Sequence, residues 1–286
     1  MADLVFVAGL SHAPGLTGWL DQAPPREQKA LTDGFNQLGE LLRASEPDLI
    51  IGLANDHLLN MPLHDLHDFC VGTAGKWDGP AEWFRDWVNV APYNVPGAPE
   101  TAQIMFEELG KRNFDVTSKS ELLFDDNWSV PLKYLTPEYD IPLLPIHMNC
   151  VVPPVPDPKH CYAFGKAVRE IIENKLPANL RVAFMGTGGL SHDPGGPKYF
   201  DVNEEFDRWF LDLLAEGDPD KVIRECTMDK MIAAGDGGTS ELIAWIAAMG
   251  TVEHREAKIV CYEPAVELRC GMGCVYWDME TEAVDV

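Results

Sequence analysis

The sequence predicts a single α/β domain spanning residues 1–286, with a central mixed sheet flanked by helices. Three observations lead there. Short apolar, β-branched runs alternate with segments whose apolar residues recur every three or four positions. The chain of 286 residues, 46% of them hydrophobic, is long enough to bury one full core. No repeat of fixed period and no low-complexity tract divides it.

Leu4 to Ala8, Leu49 to Ala54, Phe114 to Thr117, Ile141 to Ile146, Val182 to Met185, Ile259 to Tyr262 and Cys274 to Trp277 read as strands. Helical spacing covers Arg26 to Arg43, Glu100 to Lys111, Tyr162 to Asn174, Asn203 to Leu214 and Ser240 to Met249. The Pro-rich stretch from Val152 to Pro158 has regular patterns on both sides and reads as a rigid loop, not a linker. Residues 73–98 are rich in Gly, Pro, Trp and Tyr without clear periodicity: either a long excursion that shapes a pocket or a plain surface loop.

A formal charge of −24 argues against a nucleic-acid partner, because phosphate binding needs clustered Lys and Arg. No apolar run is long enough to cross a bilayer, and the start Met-Ala-Asp-Leu-Val-Phe lacks the basic residues of a secretion signal, so the expected location is cytoplasmic. Seven cysteines, an odd number scattered from Cys70 to Cys274, suit free thiols. Cys270 and Cys274 lack the second pair that a zinc site would need and read as core.

Of the eight histidines, His12 and His57 follow strand-like runs directly, and His192 follows a strand that enters the glycine-rich turn Gly186-Thr-Gly-Gly-Leu-Ser. Residues just beyond the carboxyl ends of strands converge on the crevice where open α/β sheets bind ligands. Three buried imidazoles there are hard to ascribe to packing, since each would need its own polar partners. Glu241, at the first turn of a helix entered through Gly237-Gly-Thr-Ser, is the carboxylate candidate, although an acid at a helix N-terminus is also favoured by the dipole alone. Two imidazoles and a carboxylate with open positions suit a non-haem iron(II) oxygenase, and suit zinc equally. His64 and His67 lie in a loop-like stretch and read as solvated or supporting residues.

Four motifs then fall in a telling order: Ser11-His12-Ala-Pro-Gly, Asn55-Asp56-His57, Gly186-Thr-Gly-Gly-Leu-Ser-His192 and Ser240-Glu241-Leu. With Phe124-Asp-Asp-Asn-Trp-Ser-Val-Pro-Leu132 and Pro142-Leu-Leu-Pro-Ile, the chain resembles, over nearly its whole length, the class III extradiol ring-cleaving dioxygenases, the protocatechuate 4,5-dioxygenase β-subunit group above all. The resemblance implies a single α/β domain with Fe(II) at one end of the sheet, held by His12, His57 and Glu241, with His192 as the acid–base residue. It implies that a small aromatic substrate and O2 react there to a ring-opened product. It leaves open whether the chain acts alone, with a small partner subunit as some relatives do, or as the expected homo-oligomer.

Two positions depart from the family pattern. Where the family carries Asp-His, this chain has Asp125-Asp126, and an ionised carboxylate cannot donate as an imidazole can. The substrate is therefore expected to be a catechol acid or an aminophenol- or hydroxypyridone-like analogue, with Asp125 or Asp126 orienting its second heteroatom or His192. In Pro264-Ala-Val-Glu-Leu-Arg269, apolar residues replace small polar ones, and Arg269 would pair with a carboxylate if it faces the pocket. Trp128 reads either as a pocket wall or as core. Two rival readings remain: a zinc hydrolase on the same ligands, and a non-catalytic subunit derived from the family.

Overall fold

The structure is a computed structural model that describes residues 1–279. Its strands are β1 (Asp3–Leu10), β2 (Leu49–Asp56), β3 (Phe69–Gly72), β4 (Lys76–Gly79), β5 (Tyr93–Pro96), β6 (Val116–Lys119), β7 (Leu143–Asn149), β8 (Arg181–Thr187), β9 (Lys258–Glu263) and β10 (Met272–Trp277). Its helices are α1 (Gly15–Gly18), α2 (Pro25–Ala44), α3 (Arg85–Val88), α4 (Pro99–Lys111), α5 (Asp126–Leu135), α6 (Pro158–Lys175), α7 (Glu204–Glu216), α8 (Pro219–Glu225), α9 (Met228–Ala234) and α10 (Ile243–Val252).

Eight strands form one mixed sheet in the order β6-β3-β7-β2-β8-β1-β10-β9. The centre, β7-β2-β8-β1, is parallel, and β10 and β9 continue it antiparallel beyond β1. All eight residues of β2 are buried, as befits a parallel strand covered on both faces. Alternate residues of the central strands feed two cores. Val7, Ile51, Leu53, Ile146 and Phe184 face α6 and α10, while Phe6, Ala8, Ile50, Ala183 and Met185 face α2 and α5.

Helix α10 carries no charge and is buried at every residue, which is the pattern of a helix enclosed on all sides. It lies very close to α6. A Cβ on Gly165 would meet the Ala247 carbonyl oxygen at 1.9 Å, and one on Gly250 would meet that of Tyr162 at 2.3 Å.

Each strand read from the sequence is present, with β6 and β7 each starting two residues later than expected. The helix expected from Ser240 begins as a 3-10 turn, Thr239–Leu242, before α10. Strand β3 was not foreseen, being only four residues long, nor was α5, which holds Pro131. The excursion at 73–98 is an antiparallel ribbon, β4 with β5, whose connecting turn and α3 carry Trp83, Phe84 and Trp87 to the rim of a cavity. Among the described residues all seven cysteines are free, and no helix is long and apolar enough to cross a membrane.

Candidate metal centre and active site

The parallel strands β1, β2 and β8 end side by side, so the residues that follow them meet at one edge of the sheet. His12 comes two residues after β1, His57 directly after β2, and the turn to His192 directly after β8. Glu241 enters from the 3-10 turn ahead of α10 and closes the group. Gly188 allows this approach: a Cβ there would lie 2.4 Å from the Glu241 carbonyl oxygen.

Neighbouring acceptors set the tautomer of each ring. His12 Nδ1 lies 3.0 Å from Thr187 Oγ1, and that hydroxyl gives its own hydrogen to the Asn127 carbonyl at 3.1 Å. Thr187 Oγ1 is thus left as an acceptor, the hydrogen sits on His12 Nδ1, and the Nε2 lone pair faces Glu241. His57 Nδ1 donates to Asp125 Oδ2 at 2.9 Å, and His192 Nδ1 to the Leu190 carbonyl at 2.8 Å. All three Nε2 atoms then surround one carboxylate: His12 at 3.2 Å from Oε2, His57 at 3.3 Å and His192 at 3.5 Å from Oε1. Glu241 Oε2 also accepts from the Gly189 amide at 2.7 Å.

These residues fit a metal ion. One donor atom from each of His12, His57 and Glu241 lies within 4.8 Å of the others. His12 Nε2 is buried, and although Glu241 Oε2 is close it meets no partner in hydrogen-bonding geometry. A buried nitrogen lone pair needs a donor hydrogen or a cation, and the carboxylate of Glu241 beside it has no hydrogen to give. Asp125 holds His57 from behind, as carboxylates hold metal-binding imidazoles, and also caps α5 through the Asn127 amide at 2.9 Å.

The charges agree with that role. Burial alone would raise Glu241, but in the metal-free site a positively charged His192, helped by contacts from His12 and His57, outweighs it and holds the carboxyl well below the usual range, and a bound cation would supply that positive charge instead. Burial would lower His57, but Asp125 and Asp126 outweigh that and raise it well above an ordinary imidazole. A metal at Nε2 takes the place of the proton those acids favour. Asp126 Oδ1 lies 3.5 Å from His57 Nδ1, and burial together with the charge of Asp125 pushes Asp126 up to about 7.

A cavity of about 450 Å³ opens over the group, and its wall includes His12, His57, Asp125, Asp126, His192, Glu241 and Arg269. Trp128 is not in that wall. It is fully buried, packs its ring on Gly52 of β2 and donates Nε1–H to His147 Nε2 at 2.9 Å, so of its two readings the core one describes it. Helix α5 turns Asp125 and Asp126 to the cavity and Trp128 to the sheet. His64 is exposed and His67 pairs with Asp115 at 2.6 Å, both outside the metal group.

Sequence reasoning missed four supporting residues. Thr187 and Gly189 anchor His12 and Glu241, and the buried Cys270, read as plain core, lies in the cavity wall. Asp207 accepts from Ser191 N at 2.7 Å, Ser191 Oγ at 2.9 Å and Tyr262 OH at 2.9 Å, and so pins the turn that carries His192. The burial of an acid on α7 was the available signal, and only the fold reveals it.

Comparison with known proteins bears on the family of the chain. A 2,3-dihydroxyphenylpropionate/2,3-dihydroxicinnamic acid 1,2-dioxygenase of Photorhabdus laumondii is 29% identical over 230 residues, 79% of this chain and 67% of that protein. The enzyme of the same name from Rhodococcus rhodochrous is 26% identical, over 89% of this chain and 90% of its own. A gallate dioxygenase of Pseudomonas putida is 31% identical over 55% of this chain and 46% of its own. The crystal structure of an uncharacterized protein from Escherichia coli K12 covers 94% of this chain and 99% of its own with a TM-score of 0.57, and at 14% identity it supports the fold alone. Residues 6–269 match the family described as the catalytic LigB subunit of aromatic ring-opening dioxygenase, and to that family the chain belongs.

Proposed function

We propose that the chain is an Fe(II)-dependent extradiol dioxygenase, which inserts both atoms of O2 into the ring of a catechol acid or of an aminophenol- or hydroxypyridone-like analogue. The observation that carries this reading is the convergence of three Nε2 atoms, each with its hydrogen fixed on Nδ1, around the single carboxylate of Glu241. His12, His57 and Glu241 would hold the iron, with positions left open as ring-cleaving chemistry requires. Bound there, iron would supply the redox chemistry that lets O2 react with the substrate ring.

His192 is the base and acid of the site. Its ring lines the cavity with Nδ1 donating to Leu190 and Nε2 3.5 Å from Glu241 Oε1, so Nε2 is the atom that takes a substrate hydroxyl proton and returns it later. Asp125 keeps His57 oriented through Nδ1. Asp126, in the cavity wall beside it, receives an N–H or O–H of the substrate's second heteroatom.

The test is oxygen uptake by anaerobically purified, Fe(II)-loaded protein against catechols, catechol acids, aminophenols and hydroxypyridones. Uptake matched by a ring-opened chromophore, and lost in His12→Ala, is the expected result. No uptake from any compound, with zinc retained through purification, would overturn it in favour of a hydrolase.

A further inference from the structure

We infer that the substrate is larger than a one-ring catechol acid: a two-ring compound whose inner ring is the one opened and whose outer ring carries a carboxylate received by Arg269. Which ring is opened rests on the dioxygenase reading above. The size and charge rest on the cavity.

The cavity is about 450 Å³. An apolar cavity of about 150 Å³ is enough to hold benzene, so one ring at the metal group leaves most of the volume for something else. The two ends differ in chemistry. His12 and Glu241 at the inner end are 2% and 3% exposed, whereas Trp83 and Trp87 are 64% and 47% exposed and mark the open end. The wall also includes the apolar Trp19, Phe84 and Leu268. Trp19 and Trp87 meet edge to face with ring centroids 4.9 Å apart. Indole walls of this kind favour a flat aromatic guest.

Arg269 is the cavity's Lys or Arg side chain. Its guanidinium lies 5.5 Å from the Trp19 ring centroid, 4.8 Å from Tyr199 and 5.4 Å from Phe200, and it donates to the Tyr199 hydroxyl. Rings that cover its faces leave its edge, where the N–H groups match a carboxylate. Among the described residues no carboxylate forms an ion pair with it, in a chain whose net charge is −24.

The inference is tested by calorimetric binding to the purified, metal-free chain, using probes that have no adjacent hydroxyls and cannot be turned over: biphenyl-4-carboxylate, benzoate and biphenyl-4-methanol. Biphenyl-4-carboxylate is expected to bind at least about tenfold tighter than either of the others, a difference of about 1.4 kcal/mol. Arg269→Met should reduce the preference for the acid over the alcohol to under about threefold while keeping two rings ahead of one, and Trp87→Leu should do the reverse. Arg269→Gln, a second uncharged side chain, must repeat the first result. Benzoate binding as tightly as the biphenyl acid, or a charge preference that survives both Arg269 variants, would overturn the inference. Because no probe can be oxidised at a diol, a failed oxygen-uptake panel leaves this readout intact, and failure here leaves the dioxygenase reading intact.

Discussion

Thr187, Asp125 and Leu190 each take the Nδ1 hydrogen of one imidazole, by a hydroxyl, a carboxylate and a main-chain carbonyl. Only the carboxylate adds charge, so it should matter most to a cation. Asp125→Asn keeps an acceptor for His57 and the cap of α5 but removes that charge, and Fe(II) or Co(II) affinity, read by chelator competition, should fall about 10- to 100-fold. An affinity unchanged within about twofold would show that Asp125 serves the helix alone. Asp126 makes a separate prediction, since it faces the cavity and holds no ring at hydrogen-bonding distance. Asp126→Ala should lower metal affinity less than Asp125→Asn does and lower kcat/KM by more than about tenfold, with the loss greatest for substrates bearing N–H. Turnover and affinity both unchanged would remove Asp126 from the mechanism.

Much of the element scale is legible in the sequence, because strand and helix periods are local properties. The β1, β2 and β8 runs, and the His12, His57 and His192 that follow them, sit in continuous stretches that can be read one at a time. Long-range partners cannot be read so: Asp125 reaches His57 across 68 positions, and Trp128 is committed to His147 and Gly52 only once α5 lies on β2. The contact of α6 with α10 belongs to the same class, since nothing near Gly165 announces that a carbonyl of α10 will lie against it. Gly165→Ala raises helix propensity, which alone would stabilise by about 1 kcal/mol. The added methyl would meet the Ala247 oxygen at 1.9 Å, and overpacking against a backbone typically costs about 1–3 kcal/mol or more. The second effect should win, giving a net loss in urea unfolding. A stabilised variant would mean that the two helices can move apart freely.

At the scale of the whole molecule, stability should depend on pH through a buried acid that is not one of the metal ligands. Asp207 joins α7, the His192 turn and β9, by way of Ser191 and Tyr262, with its side chain fully buried. Burial raises its carboxyl to about 6 despite the hydrogen bonds from Ser191 and Tyr262 that oppose the rise. Unfolded, it titrates near its ordinary value of 3.8. A folded value above the unfolded one means that the native state holds the proton more tightly, so folding is favoured at low pH and loses that support as pH rises from about 4 to about 6. The difference of roughly two pH units corresponds to about 3 kcal/mol. Relief of self-repulsion in a chain of net charge −24 acts in the same direction as acid is added, so wild type alone cannot separate the two effects. Asp207→Asn can: its amide keeps the shape and a carbonyl for the Ser191 amide, changes net charge by one, and has no proton to lose. The variant should gain stability over wild type above pH 6, by up to about 3 kcal/mol less what the weaker hydrogen bonds cost, and the gap should close by pH 4. Parallel unfolding curves for the two proteins across that window would show that Asp207 is not the titrating group.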